Sequence, residues 1–545
     1  MLLSGIGNIT KLMKEKIKFK IFLATTNGWN KFKFLDYQIF YKGFIFGLDK
    51  VNFKNEIIKN LIKNKNYNFF AKNFGNFTII VKSINKCLLL SDSSRSFPVY
   101  FSKINNLVLI SDSAKKIIKN KNGKEIDDEM KLLALMSGYT ISNYTLFKKV
   151  FTVSAGQYIL IGNKILKKFY VNFFPNKFVN KNYNQYKKEY ISILDNIFKD
   201  LKEKIKDKKI YLALSAGDDS RLIACYLKKH NFNNVECFSY GLSHNNWEIK
   251  LAKKVSLKLG FKHRTIIINS EKVKKFFKSN QFKDYFKFYN NFDSVPSLHE
   301  LYVLKILKKR IKKKSVILNG QPADGINGSY IKRSFLDNKN NLSIVLDEII
   351  NKHYSLWPNL KNENNLKKIK KNVLEEYKDY SKIKIKYPYQ VLLFHAYQNR
   401  ICKYLMKNYQ VYEHYNFEWY SPYMDLRFVK FWYSIPQKYH FKRNLSKKIL
   451  HDTNIYKVWD KDLSHKKNNN LNLTTNVFRT FLKMFFIANK KSWKLYDKKF
   501  FQYYNDNQLK SHIVSEKEWK NTKNFRSPIS FLSAKWLQTK TTDIK

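Results

Sequence analysis

The segment Tyr211-Leu-Ala-Leu-Ser-Ala-Gly-Asp-Asp-Ser-Arg-Leu-Ile-Ala-Cys225 joins an apolar run, Tyr211 to Leu214, to a tight turn of small and acidic residues, Ser215 to Ser220, and then to a helix-like stretch. Strand, turn and helix in that order aim backbone N–H groups and the positive end of a helix at one point. A chain holds a phosphate or pyrophosphate in this way. The phosphate loop Gly-x-x-x-x-Gly-Lys-Ser/Thr is absent. An acid stands where that loop has its lysine. Asp219 in such a turn can hold Mg²⁺, and Mg²⁺ can hold a leaving pyrophosphate.

The elements that must position this turn change character along the chain. Before about Val171 the pattern is short β-like runs: Tyr37 to Phe46, Phe77 to Lys82, Lys86 to Ser91 and Leu107 to Ser111, read as antiparallel strands of an α+β domain. A polar, Asn- and Lys-rich stretch, Val171 to Lys188, divides the chain, with domains expected over 1–180 and 181–545. Beyond it, apolar runs alternate with longer helical patterns, as in a doubly wound α/β sheet. The runs are Ile210 to Leu214, Val235 to Tyr240, Thr265 to Ile268 and Ser315 to Leu318. From about Leu342 the pattern is mainly helical.

With 545 residues and 44% hydrophobic content the chain can build two or three cores. No apolar run reaches membrane-spanning length, and Met1 to Lys16 lacks the uninterrupted apolar core of a signal peptide. Cys87, Cys225, Cys237 and Cys402 have no metal-ligand spacing, so a reducing cytoplasm is expected. The net charge of +61 would suit a nucleic-acid partner. Yet lysine is spread over the whole chain among Asn, Ile, Phe and Tyr, and arginine is scarce. That is composition drift on solvated faces, with weak nonspecific polyanion affinity and no specific nucleic-acid site.

Ser215-Ala-Gly-Asp-Asp-Ser220 resembles the Ser-Gly-Gly-x-Asp-Ser pyrophosphate loop of the ATP pyrophosphatase superfamily, and its continuation Arg-Leu-Ile-Ala resembles the asparagine synthetase family. Ala216 replaces the first glycine, which is tolerated if that residue keeps φ below zero. Leu318-Asn-Gly-Gln-Pro-Ala-Asp-Gly-Ile-Asn-Gly-Ser-Tyr330 resembles the family's Ser-Gly-Glu-Gly-x-Asp-Glu-x-Phe-Gly-Gly-Tyr loop. The resemblance makes Asp324 the second Mg²⁺ carboxylate, opposite Asp219. Gln321 and Gly325 replace family acids, and Gln321 cannot take a proton. Glu418-Trp-Tyr-Ser-Pro-Tyr-Met-Asp425 is similar to the family's Glu-x-Arg-x-Pro-Phe-Leu-Asp, with Tyr420 in place of arginine. Lys447-Lys-Ile-Leu450 fits the next landmark. The family lysine that follows corresponds to Lys466 or Lys467, where a cation would stabilise charge as pyrophosphate leaves.

The resemblance implies ATP and Mg²⁺. It assigns Leu214, Ser215, Gly217, Asp219, Ser220, Tyr240, Asn319 and Gly320 to the nucleotide, Asp219 and Asp324 to the metal, and Asp219, Gln321, Asp324 and Lys467 to catalysis. Phe74-Gly-Asn-Phe-Thr-Ile-Ile-Val81, Leu89-Leu-Ser-Asp92 and Phe97-Pro-Val-Tyr100 resemble the class II glutamine amidotransferase domain of the same family. That domain uses an N-terminal cysteine, and none occurs before Cys87, so it reads as degenerate, without its own glutaminase activity. The expected function is an AMP-forming amide ligase acting on aspartate or another acid. Ammonia, an amine or a separate glutaminase subunit would supply nitrogen. Three alternatives stay open: an amidoligase using an amine on a glycan, peptide or metabolite, a tRNA-modifying ATP pyrophosphatase, and a degenerate binding or scaffold protein.

Overall fold

The computed structural model describes residues 17–24, 28–120, 124–174, 180–205, 207–244, 246–298, 300–311, 315–336, 341–380, 387–463, 473–487, 492–493, 496 and 513–542. Among the described residues ten strands lie in the first half: β1 Lys18–Phe22, β2 Asn30–Phe34, β3 Tyr37–Ile45, β4 Gly75–Lys82, β5 Cys87–Ser91, β6 Tyr100–Ile104, β7 Leu107–Ser111, β8 Phe151–Thr152, β9 Gln157–Ile161 and β10 Ile165–Phe169. They form a four-stranded sheet, β1-β7-β6-β8, and a six-stranded sheet, β10-β9-β5-β4-β3-β2. Alternation assigns each side chain to a core. Ile80, Cys87, Leu89, Phe101, Val108 and Ile110 meet between the sheets. Ile79, Val81, Leu88, Leu90 and Leu109 point the other way, into the main core. With both faces buried, β5 and β7 read in sequence as near-continuous apolar runs.

One pairing departs from the all-antiparallel expectation: β1 runs parallel to β7, with Lys18 opposite Leu107. No hairpin turn constrains strands so far apart in sequence, and the short Lys/Phe alternation of β1 gives no hint of direction. All four cysteines are free and buried, Cys87 in the inter-sheet core.

The second half is built on β11 Lys209–Ala213, β12 Val235–Gly241, β13 Lys262–Ile267, β14 Ser315–Leu318 and β15 Glu418–Tyr420, all parallel, in the order β13-β12-β11-β14-β15. The helices Asp218–Lys229 and Trp247–Lys258 follow β11 and β12. The chain winds outward from β11 to β13 on one side, then returns to place β14 on the other. Such a reversal opens a crevice at the carboxyl ends of the two central strands. Leu212 stands opposite Leu318, so the turns leaving β11 and β14 are neighbours. β15 interrupts the region expected to be helical. It has three residues, too few to show a period, and it adds to the sheet edge through Val316 and Leu318.

No described helix is long and apolar enough to cross a membrane. The main core runs through both halves of the chain. A buried polar seam also joins them: Asp293 accepts from Arg95 at 2.6 Å, Tyr100 at 2.9 Å and Lys407 at 2.7 Å. Those two cations hold its carboxyl well below the usual range despite burial.

Candidate active site between two strand ends

The turn after β11 is closed by its own serines. Ser220 Oγ accepts from Ser215 N at 3.1 Å and lies 3.1 Å from Ser215 Oγ, which accepts from Gly217 N at 3.1 Å. Gly217 caps the following helix with φ −75°. Ala216 stays out of the left-handed backbone region, so the methyl that replaces the family glycine costs nothing here. Leu214 is buried, and its N–H extends the ladder to Phe238 O at 2.9 Å.

Two acids leave this turn. Asp218 accepts from Trp459 Nε1 at 3.0 Å. Asp219 accepts from Arg443 Nη2 at 2.6 Å, and its carbonyl accepts from Tyr423 at 2.7 Å. Burial pushes the Asp219 carboxyl up to about 7. Arg443 opposes that, while Asp324 and Asp218 add to it. Its side chain still keeps 23% exposure, so the carboxylate can be reached from the crevice. An acid so shifted, in a cleft beside other charges, is a candidate functional residue.

The turn after β14 presses onto the first. A methyl on Gly320 would lie 3.0 Å from Ser220 N and 3.4 Å from Asp219 Cβ. Only a glycine lets the two turns approach so closely. Asn319 accepts from Gln321 N at 2.9 Å and donates to Tyr412 at 2.8 Å, and Tyr412 donates to Glu300 at 2.6 Å. Tyr240, at the end of β12, shares that glutamate, and burial raises its hydroxyl well above the usual range. Gln321 Oε1 accepts from Asn408 at 2.6 Å, and its carbonyl accepts from Tyr409 at 2.9 Å and Ser421 at 2.7 Å. Asp324 is exposed, and its charge acts on both Asp219 and Arg443. The space beside Gly325 is filled: a methyl there would meet the Tyr330 ring at 3.1 Å and Ile401 at 3.3 Å. Gly328, with φ +121° and a virtual Cβ 2.2 Å from His440 O, seals the end of the turn.

The structure thus gathers Ser215, Gly217, Asp219, Ser220, Asn319, Gly320, Gln321 and Asp324 around one crevice, with Leu214 and Tyr240 at its strand ends. Lys466 and Lys467 lie outside the described residues. Sequence reasoning missed Arg443 and the supports Tyr423 and Trp459. It also missed Arg221, whose buried guanidinium donates to Val458 O at 3.1 Å and Leu463 O at 2.9 Å. The available signal was rarity: only ten of the 103 basic residues are arginine. Among the described residues no three His, Cys, Asp or Glu form a metal cluster. Two carboxylates, Asp219 and Asp324, suit Mg²⁺ completed by phosphate oxygens and water better than an all-protein cage.

Residues 202–467 match the family model described as asparagine synthase. This stretch is an asparagine synthase domain. Both turns of the crevice, with every acid named above, fall inside the synthase domain. No curated protein matches the chain. Among solved structures, an NH3-dependent NAD synthetase from Campylobacter jejuni is 14% identical, with TM-score 0.21, over 35% of this chain and 96% of its own. A glutamine phosphoribosylpyrophosphate amidotransferase from B. subtilis is 8% identical, with TM-score 0.19, over 45% of this chain and 73% of its own. The assignment rests on the family match and not on these two likenesses.

Proposed function

We propose that the chain is an ATP-dependent, AMP-forming amide ligase, with residues 181–545 as the ligase domain and residues 1–180 as an amidotransferase-like domain without glutaminase activity. A substrate carboxylate attacks the α-phosphate of ATP, giving an acyl-adenylate and pyrophosphate. Ammonia then attacks the acyl carbon, releasing AMP and a proton and leaving the amide. The observation that carries this reading is the contact of Gly320 with the Ser220–Asp219 backbone at the carboxyl ends of β11 and β14.

Ser215, Gly217 and Ser220 offer hydroxyls and a helix N-terminus to the pyrophosphate, and Tyr240, Asn319 and Gly320 flank the nucleotide. Asp219 and Asp324 would hold Mg²⁺, which when bound neutralises the charge of the leaving pyrophosphate. Arg443 favours the ionised form of Asp219 against the effect of burial and brings a fixed cation to the same place. Lys467 is proposed as a further cation. Nitrogen from glutamine would need a reactive thiol. All four thiols are buried, and burial pushes each of them above its usual range.

A second reading, capture by an amine instead of ammonia, is favoured by Gln321. Its side chain is tied to Asn408 and carries no base, and Tyr330 occupies the space beside Gly325 where another acid would stand. Pyrophosphate release from ATP and Mg²⁺, across a panel of acids with ammonia or amines, tests both readings. Release that depends on one acid supports a ligase, and the nitrogen compound that yields an amide selects the reading. No acid-dependent release from folded protein would refute both.

A further inference from the structure

A cavity of about 430 Å³ lies away from the crevice, where the two halves of the chain meet. Trp29 and Phe97 line it from the first half, and Phe288 and Tyr289 from the second. Its volume and aromatic walls are those of a small-molecule pocket. Five of its lining residues are lysines and three are carboxylates. Two of those carboxylates are already engaged. Asp112 accepts from Ala24 N at 3.0 Å and Trp29 Nε1 at 3.1 Å, with Lys116 at 3.8 Å. Glu413 holds Lys42 at 3.4 Å and accepts from Trp419 at 3.2 Å. Lys119 and Lys287, on opposite halves of the chain, form no ion pair among the described residues. Lys42 Nζ also sits 4.3 Å over the Phe97 ring, so cation and apolar wall are contiguous.

The cavity shares a wall with the active-site crevice. The helix Asn408–His414 presents Gln410 and Glu413 to the cavity. Its Asn408, Tyr409 and Tyr412 hold Gln321 and Asn319 on the other side.

We propose that this cavity is a binding site for a small organic anion: a carboxylate or sulfonate on an aromatic or apolar body, distinct from the nucleotide. The lysine surplus attracts the charge, and the aromatic walls cover the body. Inorganic anions would gain only the first of these terms.

The test uses the full chain and the fluorescent probe 8-anilinonaphthalene-1-sulfonate. Saturable binding should weaken at least tenfold in Lys119→Glu/Lys287→Glu. It should be unchanged within twofold in Lys59→Glu/Lys367→Glu, a pair that changes net charge equally on exposed surface elsewhere. Benzoate should displace the probe, and inorganic phosphate at matched ionic strength should not. Asp219→Asn should bind the probe like wild type, which separates this site from the nucleotide turn. Equal weakening in both lysine pairs, or displacement by phosphate as effective as by benzoate, would overturn the proposal. Circular dichroism of each variant distinguishes a lost site from a lost fold.

Discussion

Arg443 donates to Asp219 at 2.6 Å across 224 residues of chain, and it is the one cation paired with that acid among the described residues. The pair sets the charge of the crevice. Without the guanidinium, burial together with Asp324 and Asp218 would hold Asp219 protonated at still higher pH. Arg443→Gln should therefore lower kcat/KM for pyrophosphate release by about 10²-fold. It should also move the acid limb of the pH profile upward from about 7. A loss of activity with an unmoved acid limb would show that Arg443 acts on substrate alone.

Asp219→Asn should abolish pyrophosphate release and leave the fold intact. Its effect on stability has a definite sign. The folded-state pKa is about 7 and the ordinary value is 3.8. Between these pH values the folded protein binds more protons at this site than the unfolded chain does, so wild-type stability falls as pH rises through that window. Asparagine removes the titration. The melting temperature of the variant relative to wild type, without ligands, should rise from pH 4 to pH 7 and level off above it. A flat difference would contradict the assigned shift.

Gly320→Ala and Gly328→Ala should separate activity from stability. At Gly320 the added methyl meets Ser220 N at 3.0 Å, so the turns must part by a few tenths of an ångström. Pyrophosphate release should fall by one to two orders of magnitude, and overpacking should cost ~1–3 kcal/mol. At Gly328 the methyl would lie 2.2 Å from His440 O on a backbone with φ +121°. That variant should melt markedly earlier, with more damage to stability than Gly320→Ala. Chemical denaturation of both, beside activity, checks the order.

Gln321→Glu keeps the acceptor that Asn408 uses at 2.6 Å, so the local structure should persist. The new carboxylate can accept a proton from an incoming nitrogen. Amide formation with ammonia at neutral pH should increase. Loss of activity in a folded variant would mean that Gln321 selects a different nucleophile. Indifference of both nucleotide turnover and amide formation would remove the residue from the mechanism.

The sequence by itself determined several strands rich in apolar and β-branched residues, because such a run bounded by polar turn residues is a local pattern. Tyr37 to Phe46, Leu107 to Ser111, Ile210 to Leu214 and Ser315 to Leu318 all lie on observed strands to within a residue or so. It also determined the two acidic turns, since small residues, a carboxylate and a following helix are local choices. Among the strands it did not yield, besides β6, β8, β9 and β10, are β1, β2 and β15. Lys18–Phe22 and Asn30–Phe34 alternate lysine with apolar residues over five positions, and Glu418–Tyr420 has only three. These runs are too short for a period to stand above chance, and their pairing is set by distant partners. The tertiary structure alone decided that β11 and β14 lie side by side, which brings Gly320 onto Ser220. It alone carried Arg443 to Asp219 and filled the place beside Gly325 with Tyr330. The first two depend on contacts between residues far apart in sequence, which no local pattern encodes, and the third on how the turn after β14 folds back on itself.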